Sequence, residues 1–332
     1  MVSAFKPHAD RSEGTISDAW EHGRMEMRSI GAIPVPLAAV GCNNFGRRID
    51  EDRARKVVDA AFEVGATLFD TADLYGSGAS EEFLGKALRS RRDEAVIVSK
   101  FGMRTPPDGL SGGDPVWVVR ACEDSLTRLG TDRIDVYLIH TPDDATPIAE
   151  TLTAMSRLVD EGKVREIGCS NFSAEQLDEA EEAAKEKGVR RFVTVQNEYS
   201  LLAREAREEV LPACRKLGIS FMPYFPLASG MLTGKYRRGQ PPPPGTRMAG
   251  RDGWKEFLTD ERFDLVERLA ASAEQHGHTI LGLAMSWLAT QPEIATVIAG
   301  ATSAEQVRAN AEAVETWRLS EDEFAELDDL LG

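Results

Sequence analysis

Short apolar runs alternate with amphipathic stretches along most of this chain. The runs centre near Ala39, Phe69, Ile97, Val136, Ile167, Val195, Phe221 and Thr296. Most gaps between them are about 30 residues, the length of one parallel strand with its crossover helix. The stretches between the runs repeat apolar residues every three or four positions: Val57, Ala60, Ala61 and Val64 in one, Val119, Cys122, Leu126 and Leu129 in another. That period predicts helices over 49–64, 80–88, 118–129, 148–159, 173–186 and 204–217. Eight strands, each followed by helix, favour an α/β fold of the (β/α)8 TIM-barrel type over an open doubly wound sheet, the runner-up. Ahead of the first run, two short segments flank Ile30-Gly31-Ala32 and predict an N-terminal hairpin able to plug the barrel bottom. Residues 1–24 are polar without an apolar period and read as a disordered or loosely attached tail. Residues 25–332 then form a single barrel domain.

Two segments break the period. The stretch 235–260 contains Gln240-Pro241-Pro242-Pro243-Pro244-Gly245, which excludes regular structure, and it is long for an idle connection. The stretch 101–115 contains Pro106-Pro107-Asp108-Gly109 and Gly112-Gly113. Both follow strands, so both are expected to border the C-terminal mouth, where barrel enzymes keep their sites, the proline segment as a lid.

The strand ends carry the candidate chemistry. Successive runs close on Asp70, Lys100 and His140, and Tyr75 lies on the loop after the first of them. A buried carboxylate needs a partner to offset its desolvation, and Lys100 is the candidate cation. A phenol beside that ammonium is expected to have its pKa drawn down from about 10. A phenol so shifted can exchange a proton with a reacting group, with Asp70 holding Lys100 in place and His140 converging on the same mouth. Alone, an Asp–Lys pair or a strand-end His would be structural; the four together point to catalysis.

Composition narrows the partners. A formal net charge of -16 over 332 residues argues against nucleic acid and anionic membrane surfaces. Cys42, Cys122, Cys169 and Cys214 are irregularly spaced, which predicts reduced thiols in a cytoplasmic protein. No apolar run approaches the roughly 18 residues of a membrane span, and the N-terminus has no signal-peptide core. His276-Gly277-His278 lacks a third ligand, so no metal is expected. Gly76-Ser77-Gly78 lacks the third glycine of a dinucleotide fingerprint and reads as a loop.

The segment from Phe69 to Gly76 with Ser80-Glu81 and Leu84-Gly85, then Ser99-Lys100, Ile139-His140, the run from Gly168 to Phe172, Gln196 and Leu232-Thr233-Gly234-Lys235 resemble the aldo-keto reductase superfamily, in their order. The resemblance runs from about Met25 to Leu331, and the proline segment is similar to that of the branch holding potassium-channel β subunits. It implies the tetrad Asp70, Tyr75, Lys100 and His140 and a nicotinamide cofactor extended across the mouth. It further implies that Ser170, Asn171 and Gln196 hold the carboxamide, that the ring stacks on Tyr224, and that Pro226, Leu227 and Ser229 lead on to Lys235 and Arg247 at the pyrophosphate. Thr302, Gln306 and Asn310 would meet the adenosine end. Many members have Arg where Gln306 stands and often Glu where Ala309 stands, and the missing Arg counts against a 2′-phosphate; Thr302 and the helix amides can still bind one, as in the branch holding potassium-channel β subunits, so NADPH (NADP) is the expected cofactor with NADH as an option. The expected reaction is reduction of a small aldehyde or ketone. The alternatives are a sugar or alcohol dehydrogenase working oxidatively, and a cofactor-sensing subunit of a larger assembly. Members that reduce carbon–carbon double bonds can carry Glu in place of His140, so His140 favours carbonyls. Asn43, Asn44, Phe45, Phe101, Thr141 and Trp254 are the expected pocket walls; neither the substrate nor the oligomeric state can be read from them.

Overall fold

A computed structural model describes residues 25–103, 109–249 and 251–332. The expected tail (1–24) and Pro106-Pro107-Asp108 lie outside the described residues. Strands β1 (Met27–Ile30) and β2 (Ile33–Pro36) form the predicted hairpin. Eight parallel strands follow: β3 (Ala38–Gly41), β4 (Leu68–Asp70), β5 (Val96–Phe101), β6 (Ile134–Ile139), β7 (Val164–Ser170), β8 (Thr194–Glu198), β9 (Ser220–Tyr224) and β10 (Val297–Gly300). Their order is β10-β3-β4-β5-β6-β7-β8-β9. The ring is drawn together between β9 and β10, where Phe221 N donates to Glu293 O (2.8 Å) and Ala295 N to Phe221 O (2.9 Å). It is a nearly closed TIM barrel.

Strand alternation decides what faces inward. Leu68, Val98, Val136, Leu138, Met222 and Ile298 fill the barrel interior, and Ile30, Ile33 and Val35 of the hairpin close it from below. Phe69, Ile97 and Tyr137 face outward under the helices. Two residues beyond Leu68, Val98 and Leu138 on the same inward face come Asp70, Lys100 and His140. The tetrad is thus the polar top layer of an apolar column.

The outer layer is α1 (Glu51–Glu63), α2 (Ala79–Leu88), α3 (Pro115–Leu129), α4 (Ile148–Asp160), α5 (Ala174–Lys187) and α6 (Val210–Leu217), then α7 (Trp254–Phe257), α8 (Asp260–Gln275), α9 (Ile280–Thr290), α10 (Ala304–Glu315) and α11 (Glu321–Leu331). Asp50 caps α1, and Ser173 with Gln176 forms a capping box on α5. Two expectations need correction. The helix expected over 204–217 is a 3-10 turn (Glu205–Arg207) followed by α6, because Pro212 has no N–H for a helix interior and fits only in a first turn. The segment 235–260 is not wholly irregular, since after the prolines Trp254–Phe257 forms one helical turn closed by Leu258 N on Trp254 O.

Candidate active site

The ladder hydrogen bonds continue past the strand ends and fix the loops that carry the site. Thr71 N donates to Val98 O (2.8 Å), Asp73 N to Lys100 O (3.1 Å) and His140 N to Phe101 O (2.7 Å). Lys100 is fully buried, with Nζ 2.6 Å from Asp70 Oδ1, 2.9 Å from Thr71 O and 3.5 Å from the Tyr75 hydroxyl. Gln196 Nε2 donates to the same Asp70 oxygen at 2.9 Å. The Tyr75 and His140 rings meet edge to face, centroids 5.9 Å apart. The four residues that the sequence pattern brought together are therefore in contact as one cluster.

Charge states follow from burial and neighbours. Burial works against the Lys100 ammonium, but Asp70 and then Tyr75 outweigh it and hold its pKa above the ordinary value. Burial and the nearby Lys100 push the His140 pKa down to about 3, so the imidazole is neutral at physiological pH. The expected lowering of Tyr75 is not found. Burial raises the phenol above 10, with Lys100 opposing, so Tyr75 is firmly a protonated donor.

A cleft of about 370 Å³ opens on this cluster, lined by Tyr75, His140, Asn171, Tyr224, Arg47 and Met103 among others. Of the expected walls, Asn43 lines it. Phe45 and Phe101 are fully buried behind it, Phe101 stacked on Tyr137 at 4.8 Å, while Thr141 and Trp254 are not part of the lining. Asn171 sits at φ 63°, its N–H held by Gln196 O (3.0 Å) and Asn197 Oδ1 (2.7 Å). Its side chain donates to His140 O (2.9 Å) and accepts from the Tyr224 hydroxyl (2.8 Å). Ser170 Oγ donates to Gln196 O at 2.7 Å. These polar groups hold one another in a fixed arrangement.

A second cleft of about 470 Å³ continues from the first, sharing Phe225, Arg247 and Gly300, and runs past Pro226, Leu227 and Ser229 to Thr302, Gln306 and Asn310. Arg48, Lys235 and Arg247 line it. Burial, and then repulsion from neighbouring arginines, lower the pKa values of Lys235 and Arg247. Among the described residues, none of these cations has a carboxylate within ion-pair distance. The Arg247 guanidinium stacks on Phe225 at 4.4 Å, and Arg48 ties the proline segment down by donating to Gly245 O at 2.6 Å. Gly230 adopts φ 97°, a backbone conformation that favours glycine, and its Cα faces the tip of Lys235, which a Cβ there would meet 2.6 Å from Nζ. Gln306 Oε1 accepts from Thr302 N at 2.8 Å just ahead of α10, whose N-cap is Ser303, accepting from Gln306 N. An extended groove with polar fixtures at one end and unpaired cations in the middle fits a nicotinamide dinucleotide.

The sequence model of the aldo/keto reductase family matches residues 39–331. The chain belongs to the aldo/keto reductase family. This aldo/keto reductase is 35% identical over 302 residues to a probable voltage-gated potassium channel subunit beta of Arabidopsis thaliana, covering 88% of this chain and 92% of that protein. It is 31% identical over 331 residues to L-glyceraldehyde 3-phosphate reductase of Escherichia coli O157:H7, covering 94% of each. The solved glycerol dehydrogenase of Gluconobacter oxydans superposes with a TM-score of 0.79 at 28% identity, over 92% of this chain and 94% of that one. The family is one of oxidoreductases that act on small carbonyl compounds and generally use NAD(P)H.

The sequence reading missed Arg47, Arg48 and Phe225, which line the clefts. The signal for the first two was present as an Arg doublet directly after the first barrel strand of an acidic chain. Phe225 gave none, since its role depends on φ 53°. The histidines set aside as metal ligands flank Trp317: His278 stacks on it at 4.3 Å and His276 lies 5.6 Å away. Among the described residues no cluster of metal-binding side chains occurs, and no helix is long and apolar enough to cross a membrane.

Proposed function

We propose that this aldo/keto reductase reduces an aldehyde or ketone to the alcohol with NADPH, with Tyr75 as the general acid. The observation that carries the reading is the Tyr75 hydroxyl, 3.5 Å from the buried Lys100 ammonium at the floor of the cleft that His140 also lines. The cofactor, when bound, supplies the hydride. Tyr75 gives its proton to the carbonyl oxygen as negative charge gathers there. The phenolate left behind faces Lys100, whose charge Asp70 and Gln196 keep in place. His140, being neutral, can orient the carbonyl without adding a second positive charge to the cleft. Ser170, Asn171, Gln196 and Tyr224 would hold the nicotinamide end, Lys235 and Arg247 the pyrophosphate, and Thr302, Gln306 and Asn310 the adenosine end. Residues 25–332 act as one unit in this reading, in the cytoplasm.

The donor and acceptor arrangement serves either direction. The fold it shares with a glycerol dehydrogenase makes alcohol oxidation the second reading. A turnover screen of varied aldehydes, ketones and alcohols with both cofactors tests the assignment. Carbonyl-dependent oxidation of NADPH with matching alcohol formation is the expected result; turnover of alcohols alone would favour the second reading, and no turnover in either direction would refute both.

A further inference from the structure

Arg47 has no assigned task in the proposed reaction, yet it lines the cleft that holds Tyr75 and His140. It is carried by a tight turn in which Gly46 N donates to Ile49 O (3.0 Å), while the amides of Arg47 (3.2 Å), Arg48 (2.8 Å) and Ile49 (3.1 Å) all donate to Asn44 O. Buried Phe45 and Ile49 anchor both ends of this turn. It packs directly on the loop of the general acid: a Cβ on Gly76 would come 2.7 Å from Phe45 O, and one on Gly46 2.4 Å from the Ala79 side chain. Arg47 and Tyr75 are therefore borne by two backbone segments in close contact, and the turn keeps its place relative to the phenol.

The charges around the cleft leave Arg47 uncompensated. Of its other charged lining groups, Asp70 is taken by Lys100, and Arg247 also lines the neighbouring cleft assigned to the dinucleotide phosphates. Arg48 and Lys235 belong to that neighbouring cleft, whereas Arg47 does not line it. Among the described residues no carboxylate forms an ion pair with Arg47. A cation without a partner, on a fixed turn beside the reacting group, is suited to binding an anion on the molecule that fills the cleft.

We propose that the carbonyl substrate carries an anionic group, a carboxylate or a phosphate, that pairs with Arg47 while its carbonyl reaches Tyr75. The proposal rests on the carbonyl-reduction reading and narrows its substrate class. The guanidinium fork can take either anion through two parallel N–H bonds, so the chemistry common to both is a planar or near-planar pair of anionic oxygens. Because Arg47 is exposed, the attraction is screened by salt.

The test uses matched substrates with purified full-length enzyme and NADPH: p-carboxybenzaldehyde against its uncharged methyl ester, and glycolaldehyde phosphate against glycolaldehyde. The readout is the ratio of kcat/KM between the charged and neutral member of each pair. Arg47→Ala is expected to lower that ratio by about tenfold, mainly through KM, with Arg47→Lys retaining most of it, and added salt is expected to erode the wild-type ratio. The pair that responds more identifies carboxylate or phosphate as the source. An unchanged ratio in Arg47→Ala overturns the proposal, as does a fall in NADPH affinity with the ratio unchanged, which would give Arg47 to the cofactor. If the wild type reduces neutral carbonyls of the turnover screen but neither charged substrate, the proposal is overturned while the carbonyl-reduction reading stands; if it reduces no carbonyl of that screen, the reading fails and the proposal falls with it.

Discussion

The two ends of the barrel treat charge in opposite ways. At the bottom, a groove of about 700 Å³ is lined by Arg28, Arg191 and Glu293, and each is matched. Arg28 donates to the carbonyls of Ala289 (2.5 Å), Gln291 (2.9 Å) and Ile294 (2.6 Å), Arg191 pairs with Glu181 at 3.1 Å, and Glu293 pairs with Arg215. At the mouth, Arg47, Arg48, Lys235 and Arg247 have no carboxylate in ion-pair contact among the described residues, although the chain carries 55 acidic residues. Size does not distinguish the functional end, since the bottom groove is larger than either mouth cleft taken singly. Unmatched charge does, because leaving cations together costs stability unless an arriving anion takes them. Backbone strain agrees: all five non-glycine residues with positive φ among those described, Ser77, Asn171, Phe225, Ala228 and Ser229, lie in mouth loops.

If the ends differ in this way, substitutions at the mouth should change chemistry or binding, and substitutions at the bottom should change stability alone. The largest effect is expected for Lys100→Met, which removes the cation from Tyr75 and leaves Asp70 buried without its ion pair. It should abolish carbonyl reduction and cost about 3–5 kcal/mol, seen as a lowered Tm; an unchanged Tm would mean that the pair is not desolvated. Arg247→Ala should weaken NADPH and NADH alike by at least about tenfold in a fluorescence titration, since each charge-assisted contact is worth about 1.5–3 kcal/mol. Thr302→Ala should weaken NADPH selectively, and equal weakening of both cofactors would displace the 2′-phosphate from Thr302. Arg28→Ala should lower Tm by several degrees through its lost carbonyl contacts while cofactor affinity stays at the wild-type value. A change in cofactor affinity there would break the comparison.

At neutral pH the smallest effect is expected at His140, where it takes the form of a pH dependence. His140 binds its proton only near pH 3 in the folded chain, against 6.5 ordinarily, so the unfolded state takes up a proton that the folded state refuses. Its contribution makes stability fall as pH drops from about 6.5 toward 3, and His140→Gln should flatten that limb in urea melts. An unaltered slope would show the imidazole to be accessible to protons.

Most of the barrel was legible because strands buried on both faces leave short apolar runs, and because parallel strands need crossover helices of regular length. The tetrad was legible because alternation carries Leu68 to Asp70, Val98 to Lys100 and Leu138 to His140 on one face. Part of what escaped had no local signal. Helix α9 is apolar almost all round, with nine of its residues buried, so it shows no amphipathic stripe. The rise in the Tyr75 pKa depends on how deeply the phenol is enclosed, and the pairing of Gln306 with Thr302 depends on how a loop meets a helix; spacing along the chain encodes neither.

If the mouth separates a proton-delivering cluster from a cation-lined binding groove, chemistry and cofactor binding can be lost independently. Titration of Tyr75→Phe with NADPH, alongside its turnover, tests this most directly, because the hydroxyl matters only once the oxygen gains charge. Cofactor affinity near wild type is expected, together with a loss of kcat of about 100-fold or more. Turnover within about tenfold of wild type, or a comparable loss of cofactor affinity, would contradict it.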